Sequence, residues 1–293
     1  MALEMIRLGD NTYYFPGSTN IGLFVKDSND AYLIDSGNDK EAGRKLLSSL
    51  NSSGLSLKAV INTHSNADHC GGNQFLQERT GCQVLSPDIE SAFLKNPVLE
   101  PSILYGGMPP SDLMNKFFMA KPSRPDGCGL SALPEGLTAI QLPGHYYGMC
   151  GYLTCDQVFF AADCLFSKNV LDKYHIAFIL DIGAFLKTLD MLPTIGCKLF
   201  VPSHAEPTDD ISGIAATNRD KVLEIAGLVL DACKEPSMPD DVLKHVFDHY
   251  GLNLDMGQYA LAGSTIRSYI TYLHDLGKLE RCFKDNRLRF RTI

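Results

Sequence analysis

One hexapeptide constrains this chain more than any other stretch: His64-Ser65-Asn66-Ala67-Asp68-His69. Two imidazoles and a carboxylate fall within six residues, directly after an apolar run, Leu57 to Ile61, with the composition of a strand. Gly71-Gly72 and a polar helix start follow. A strand end running into a helix is a rigid place from which to hold an ion. Imidazole nitrogen and carboxylate oxygen are donors that Zn²⁺, Fe or Mn²⁺ accepts. The same residues also suit a polar turn in which Asp68 serves the free N–H groups of the helix start.

Three later sites repeat one arrangement, an apolar β-run followed by a turn holding a metal-compatible side chain. His145 lies in Leu142-Pro143-Gly144-His145-Tyr146-Tyr147-Gly148, Asp163 ends Phe159-Phe160-Ala161-Ala162-Asp163, and His204 follows Leu199-Phe200-Val201-Pro202-Ser203. A lone histidine after a strand is usually a satisfied turn residue. Here four of the eight histidines occupy such positions, whereas His175, His245, His249 and His274 do not.

At 293 residues and 45% hydrophobic, the chain can bury a full core, which excludes disorder. Its net charge of −8 argues against nonspecific nucleic-acid binding and against an anionic membrane surface. Nine scattered cysteines with no C-x-x-C pair fit a reducing compartment better than a disulfide framework. The residues Met1 to Arg7 contain no signal-peptide core, and no apolar stretch reaches bilayer length, so the expected location is cytoplasmic.

The first third predicts antiparallel strands at Asn11 to Phe15, Ile21 to Lys26 and Ala31 to Ile34, then a helix over Lys40 to Leu50. Strand Leu57 to Ile61, helix Gly72 to Arg79 with Gly81 as its stop, and strand Cys82 to Leu85 follow. Residues 88–130 are rich in proline and read as irregular, a lid-like insertion containing Tyr105-Gly106-Gly107-Met108-Pro109-Pro110. Strand Leu137 to Leu142, a hairpin of Tyr152 to Cys155 with Val158 to Ala162, a helix over Phe178 to Leu192 and strand Lys198 to Val201 complete a unit of residues 1–233. Residues 234–293 read as helices, with a capping box at Ser237 and Asp240. An apolar stripe of Ile266, Tyr269, Ile270 and Leu273 precedes a hairpin turning at Asp285-Asn286, an order like that of a winged helix.

The ligand motifs and their order resemble those of the metallo-β-lactamase-fold hydrolases, the superfamily that includes glyoxalase II-type thioesterases. Its first motif is H-x-H-x-D-H, followed by single His, Asp and His elements, and the likeness spans roughly residues 11–210. The resemblance implies an α/β (α+β) four-layer αββα sandwich whose loops carry the metals at one edge. It implies that His64 and His145 belong to a first metal position, that Asp68, His69 and His204 belong to a second, and that Asp163 bridges them. Asn66 stands where the family has its second histidine. A carboxamide is a poorer Zn²⁺ ligand than imidazole. Asn66 therefore binds through its oxygen, or leaves the first position empty, or favours Mn²⁺ or Fe²⁺ there; orienting a neighbouring histidine is an equal reading. Asp35, in Leu33-Ile34-Asp35-Ser36-Gly37, matches an early family element with a structural role. Cys164 reads as a small buried thiol rather than a nucleophile.

The chemistry implied is hydrolysis by metal-activated hydroxide, with one or two divalent ions, zinc first among them, and Asp68 as the catalytic carboxylate. The expected partner is a small-molecule thioester, ester or lactone. Tyr146, Tyr147, Tyr174 and His175 are candidate substrate contacts, with ordinary packing as their plain alternative. A phosphodiesterase or nuclease on the same metal site, and a regulatory protein with a decayed first position, are the competing readings. The C-terminal module carries nine Lys/Arg against eight Asp/Glu, but its helix Ser264 to Leu276 presents only Arg267. Closing over the site or pairing two copies as a homodimer fits it better than binding nucleic acid.

Overall fold

The computed structural model describes residues 3–126 and 129–293; Met1, Ala2, Gly127 and Cys128 lie outside the described residues. β1 (Ile6–Arg7), β2 (Thr12–Phe15), β3 (Ile21–Lys26) and β4 (Asp30–Ile34) pair antiparallel in sequence order. The sheet then turns parallel, β4 to β5 (Ser56–Ile61) and β5 to β6 (Gln83–Leu85). Parallel neighbours need crossovers. They are α1 (Lys40–Ser52), capped by Asp39, and the pair α2 (Ala67–Cys70) and α3 (Asn73–Thr80), which ends on left-handed Gly81.

After α4 (Asp88–Lys95) and α5 (Leu99–Tyr105), a second sheet forms from β7 (Leu137–Gln141), β8 (Cys150–Thr154), β9 (Val158–Phe166) and a later strand, β10 (Leu199–His204). β9 and β10 are parallel, joined across α6 (Lys168–Tyr174) and α7 (Ile182–Met191). The chain ends with α8 (Ser212–Ala232), α9 (Pro239–Tyr250), α10 (Met256–Asp275) and a hairpin of β11 (Leu279–Lys284) and β12 (Arg287–Thr292).

Alternation along the strands divides the core into layers. Tyr14, Phe24, Ile34 and Ile61 of the first sheet meet Tyr152, Phe160 and Val201 of the second. On the outer face of the first sheet, Phe15, Leu23, Leu33 and Val60 pack on Leu46 and Leu50 of α1 and Leu76 of α3. On the outer face of the second, Phe159 and Phe200 share a cluster with Phe185, Val222 and Val229, and with Val242, Val246, Ile266 and Tyr269 of the C-terminal helices. The result is a four-layer αββα arrangement, and the hydrophobic cluster runs continuously into the C-terminal helices. Each fully buried large side chain contributes about 1.5–3 kcal/mol over exposure. The sheets approach so closely that a Cβ on Gly22 would sit 2.7 Å from the Phe160 ring. No helix among the described residues is long and apolar enough to cross a membrane. The eight described cysteines are free, and buried Cys164 has its thiol pushed well up by burial.

Four expectations need correction. Residues 88–130 are irregular only in part: they hold α4, α5, a 3₁₀ turn at Ser111–Leu113 and the start of another at Gly129–Ala132, while most of the described residues from 114 to 126 lie outside any helix or strand. Two of their prolines mislead because they start helical turns: Pro101 sits in the first turn of α5, where a missing N–H costs nothing, and Pro110 precedes the 3₁₀ turn Ser111–Leu113. No helix is expected from the sequence between Val201 and residue 234, yet α8 forms there, with Ala215, Val222, Ile225 and Val229 recurring at helical spacing and buried. The capping box falls one residue later than expected, with the Met238 N–H donating to the Asp241 carboxylate at 3.1 Å. Asp163 lies within β9 rather than at its end, beside Ala162, whose φ is +51°. Asp285 and Asn286 take the positive φ values of a two-residue hairpin turn, as expected.

Candidate metal centre

Every sequence-selected ligand comes to one edge of the sandwich. The end of β5 delivers His64, α2 delivers Asp68 and His69, the turn between β7 and β8 delivers His145, and β9 and β10 deliver Asp163 and His204. The ligand atoms of His64, His145 and Asp163 lie within 4.8 Å of one another, and so do those of Asp68, His69 and His204. Asp163 touches both groups: its Oδ2 is 3.1 Å from His204 Nε2 and 3.7 Å from His145 Nε2, and its Oδ1 is 3.2 Å from His69 Nε2. Asp68 Oδ2 stands 3.4 Å from His204 Nε2 and 3.5 Å from His69 Nε2.

Each imidazole is held from behind through Nδ1. His69 Nδ1 meets Asp35 Oδ2 at 2.8 Å, His145 Nδ1 meets the Phe178 carbonyl at 2.9 Å, and His204 Nδ1 meets the Ser18 carbonyl at 2.7 Å. His64 Nδ1 lies 2.9 Å from Thr63 Oγ1, whose own proton goes to Asp35 Oδ2 at 2.8 Å, so the ring is the donor. Carboxylate and carbonyl oxygens only accept, which commits the proton to Nδ1 in the neutral rings and turns Nε2 inward. The Asp35 carboxylate also accepts from the Thr63 N–H at 2.8 Å, the structural role read from the sequence.

The donor set fits a metal. His64 Nε2, His69 Nε2 and Asp163 Oδ1 are buried and make no hydrogen bond among the described residues. Orphaned polar atoms converging on one space are costly unless an ion meets them. Charges are arranged to match. Burial holds the His64 and His145 rings below their ordinary pKa, with neighbouring imidazoles adding to the effect. Burial opposes charge at His69 as well, but Asp163, Asp68 and Asp35 outweigh it and raise that pKa well above the usual. At His204 the same contest, won by Asp163 and Asp68, lifts the pKa to about 10. These imidazoles drive both Asp68, which is half-exposed, and buried Asp163 below the ordinary carboxylate range, against the desolvation that opposes the charge.

Two acids that sequence reasoning missed support the motif. Glu90 of α4 accepts from Ser65 N at 3.0 Å, Ser65 Oγ at 2.6 Å and Gly148 N at 2.7 Å, tying the His64 loop to the His145 turn. Glu100 of α5 accepts from Asn66 Nδ2 at 2.7 Å. A signal existed: two glutamates on otherwise apolar helix faces. Thr19, in the turn between β2 and β3, donates to Asp68 Oδ2 at 3.0 Å.

The four aromatic and imidazole candidates separate. Tyr146 is buried, edge-on to Phe93 and near the His64 ring. Tyr147 is 44% exposed and stacks on Phe93. Tyr174 is exposed and lies under Lys173, while His175 stacks on Tyr250 at 4.2 Å.

Comparison with known proteins agrees with this geometry. The family model described as the metallo-beta-lactamase superfamily matches residues 14–204. A hydroxyacylglutathione hydrolase of Thiobacillus denitrificans is 29% identical over 39% of this chain and 38% of its own length. An atrochrysone carboxyl ACP thioesterase of Aspergillus chevalieri is 26% identical over 74% of this chain and 64% of its own. The chain thus spans less than two thirds of these relatives. A beta-lactamase domain protein from Burkholderia ambifaria shares the fold over 99% of this chain and 94% of its own, with a TM-score of 0.74 at 18% identity. With the family model covering most of the sandwich and both ligand groups inside or at the end of the match, the chain belongs to the metallo-beta-lactamase superfamily.

Proposed function

We propose that this chain is a metal-dependent hydrolase of a small-molecule thioester, ester or lactone, with His64, Asn66, Asp68, His69, His145, Asp163 and His204 as its metal-binding set. The observation that carries the reading is the convergence of imidazole Nε2 atoms, each held through Nδ1, on carboxylates that leave buried atoms without hydrogen bonds. Asp68, His69 and His204 make a donor set suited to zinc. When bound, a divalent ion acidifies water towards a pKa of ~7 and polarises the acyl oxygen.

The chain's own residues do the rest. Asp68 is half-exposed, fixed by Thr19, and presents a carboxylate that accepts a hydrogen bond from the attacking water. His204 borders the same opening, anchored to the Ser18 carbonyl. Ser18 and Thr19 also line a cleft of about 270 Å³ that continues past Asn38, Asp39 and Lys45, and none of the metal-binding side chains lines it. A thioester is the first substrate class to test, because one relative is named a thioesterase and another a hydroxyacylglutathione hydrolase.

The test is elemental mass spectrometry on protein purified without added metal, followed by a screen of thioesters, esters, lactones and phosphodiesters. Bound metal and a thioesterase activity lost in Asp68→Ala are expected. Equal activity of metal-replete wild type and Asp68→Ala on every substrate would sink the reading.

A further inference from the structure

The departure at Asn66 is built into its surroundings. Asn66 Nδ2 donates to Glu100 Oε1 at 2.7 Å, and Glu100 is only 7% exposed, a buried carboxyl group on α5. A carboxamide has one donating end and one accepting end. With the nitrogen committed to Glu100, the oxygen faces the other way, and Asn66 Oδ1 stands 3.1 Å from His145 Nε2. The far side of that ring is committed too, because the Phe178 carbonyl beside Nδ1 only accepts. A neutral His145 therefore carries its proton on Nδ1 and offers a bare lone pair from Nε2.

Two acceptors consequently face each other with no proton between them. That arrangement is repulsive unless a positive charge lies beside both. Asp163 and the orphaned His64 Nε2 border the same space.

We infer that Glu100 is a positioning residue that turns the Asn66 carboxamide oxygen towards the first metal position, making Asn66 a neutral oxygen ligand beside His64, His145 and Asp163. The inference rests on the metal-dependent reading proposed above. It carries a consequence for metal choice. Carbonyl oxygen suits Mn²⁺ better than imidazole does, so the first position favours a harder ion while Asp68, His69 and His204 keep zinc.

The test is cadmium NMR with metal competition on the metal-free full chain, a readout independent of turnover. The wild type should take up about two ions, as a paired site requires, and give two resonances. Asn66→His should move one resonance in the direction of added nitrogen and leave the other in place. In Glu100→Leu that same position should lose about tenfold or more in affinity. Glu100→Gln, whose side-chain oxygen still accepts from Asn66, should keep it. Mn²⁺ should displace cadmium from that position first in wild type and lose this preference in Asn66→His.

An Asn66→Leu variant with both resonances and both affinities unchanged would overturn the assignment. So would a wild type that binds a single ion and gains a second only in Asn66→His, because the amide would then present its nitrogen inward. Either result leaves the position of Asp68, His69 and His204 occupied and the hydrolase reading intact. Absence of any metal uptake would instead remove that reading itself. Should Glu100→Leu fail to fold, the two Asn66 variants decide alone.

Discussion

Asp35 and His69 meet at 2.8 Å, carboxylate to Nδ1, with both side chains buried and the Asp35 backbone at a φ of +68°. The same carboxylate receives the Thr63 N–H and hydroxyl, so one residue after β4 sets the direction of the chain leaving β5. A positive φ at a non-glycine residue persists only where surrounding bonds hold it. The ligand loop and the first crossover are thus tied together by a single anion.

Replacing that anion should be expensive. Asp35→Ala strands the Thr63 donors and the His69 ring, and a destabilisation of about 3–5 kcal/mol is expected. Asp35→Asn should retain the fold better but weaken metal binding about 10–100-fold, since one of its two acceptor oxygens becomes a donor and can no longer serve both Thr63 and the His69 ring. Urea unfolding and chelator competition separate the two effects; Asp35→Asn with wild-type metal affinity would refute the anchoring role.

Metal uptake should release protons. In the metal-free protein His204 stays protonated up to about pH 10, and His69 likewise titrates well above its ordinary value. An incoming ion needs both lone pairs, so binding near neutral pH expels protons and weakens as pH falls. Calorimetry in two buffers of different ionisation enthalpy should give different heats; identical heats would contradict the charge pattern. The same raised pKa sets a stability trend in the metal-free state. The folded-state value for His204 exceeds its ordinary 6.5, so its contribution is complete below about pH 6.5 and is lost as pH rises through about 10. Thermal unfolding of the metal-free chain should therefore show stability declining across that window.

Glu90 joins two ligand loops and should behave as a clamp. Glu90→Ala leaves the Ser65 and Gly148 amides without an acceptor. About 1–3 kcal/mol is expected for each stranded group. Metal at the position of His64 and His145 should suffer more than metal at Asp68, His69 and His204, because Glu90 ties only the former pair of loops. Equal losses at the two positions would argue against the clamp.

The paired tyrosines after His145 should part company. Tyr146→Ala removes a buried ring from between Phe93 and His64 and should cost about 3–5 kcal/mol, the range for buried aromatics. Tyr147→Ala should leave stability within about 1 kcal/mol, as an exposed residue does, and act on KM with any substrate it touches. A Tyr147→Ala variant that unfolds at lower denaturant than Tyr146→Ala would reverse the assignment.

The candidate ligands were legible in the sequence because their chemistry is scarce and local. Few residue types bind a divalent ion, and His64, Asp68, His69, His145, Asp163 and His204 each follow or end an apolar run of strand period. Most strands could be read in the same way, and so could the apolar stripe of α10, all of which is buried. The supports of the site were not legible. His145 and His204 are held by the carbonyls of Phe178 and Ser18, and a carbonyl is the same group whatever residue carries it. Nor could the helical turns of residues 88–130 be seen through prolines that precede them or fill their first turns. What the sequence by itself determined is therefore which side chains are available to bind an ion and in what order they come. Which atom of each ring faces inward, and which way the Asn66 amide points, only the tertiary structure decided. Those directions depend on hydrogen bonds between segments far apart in the chain, and such bonds exist only once the two sheets have closed.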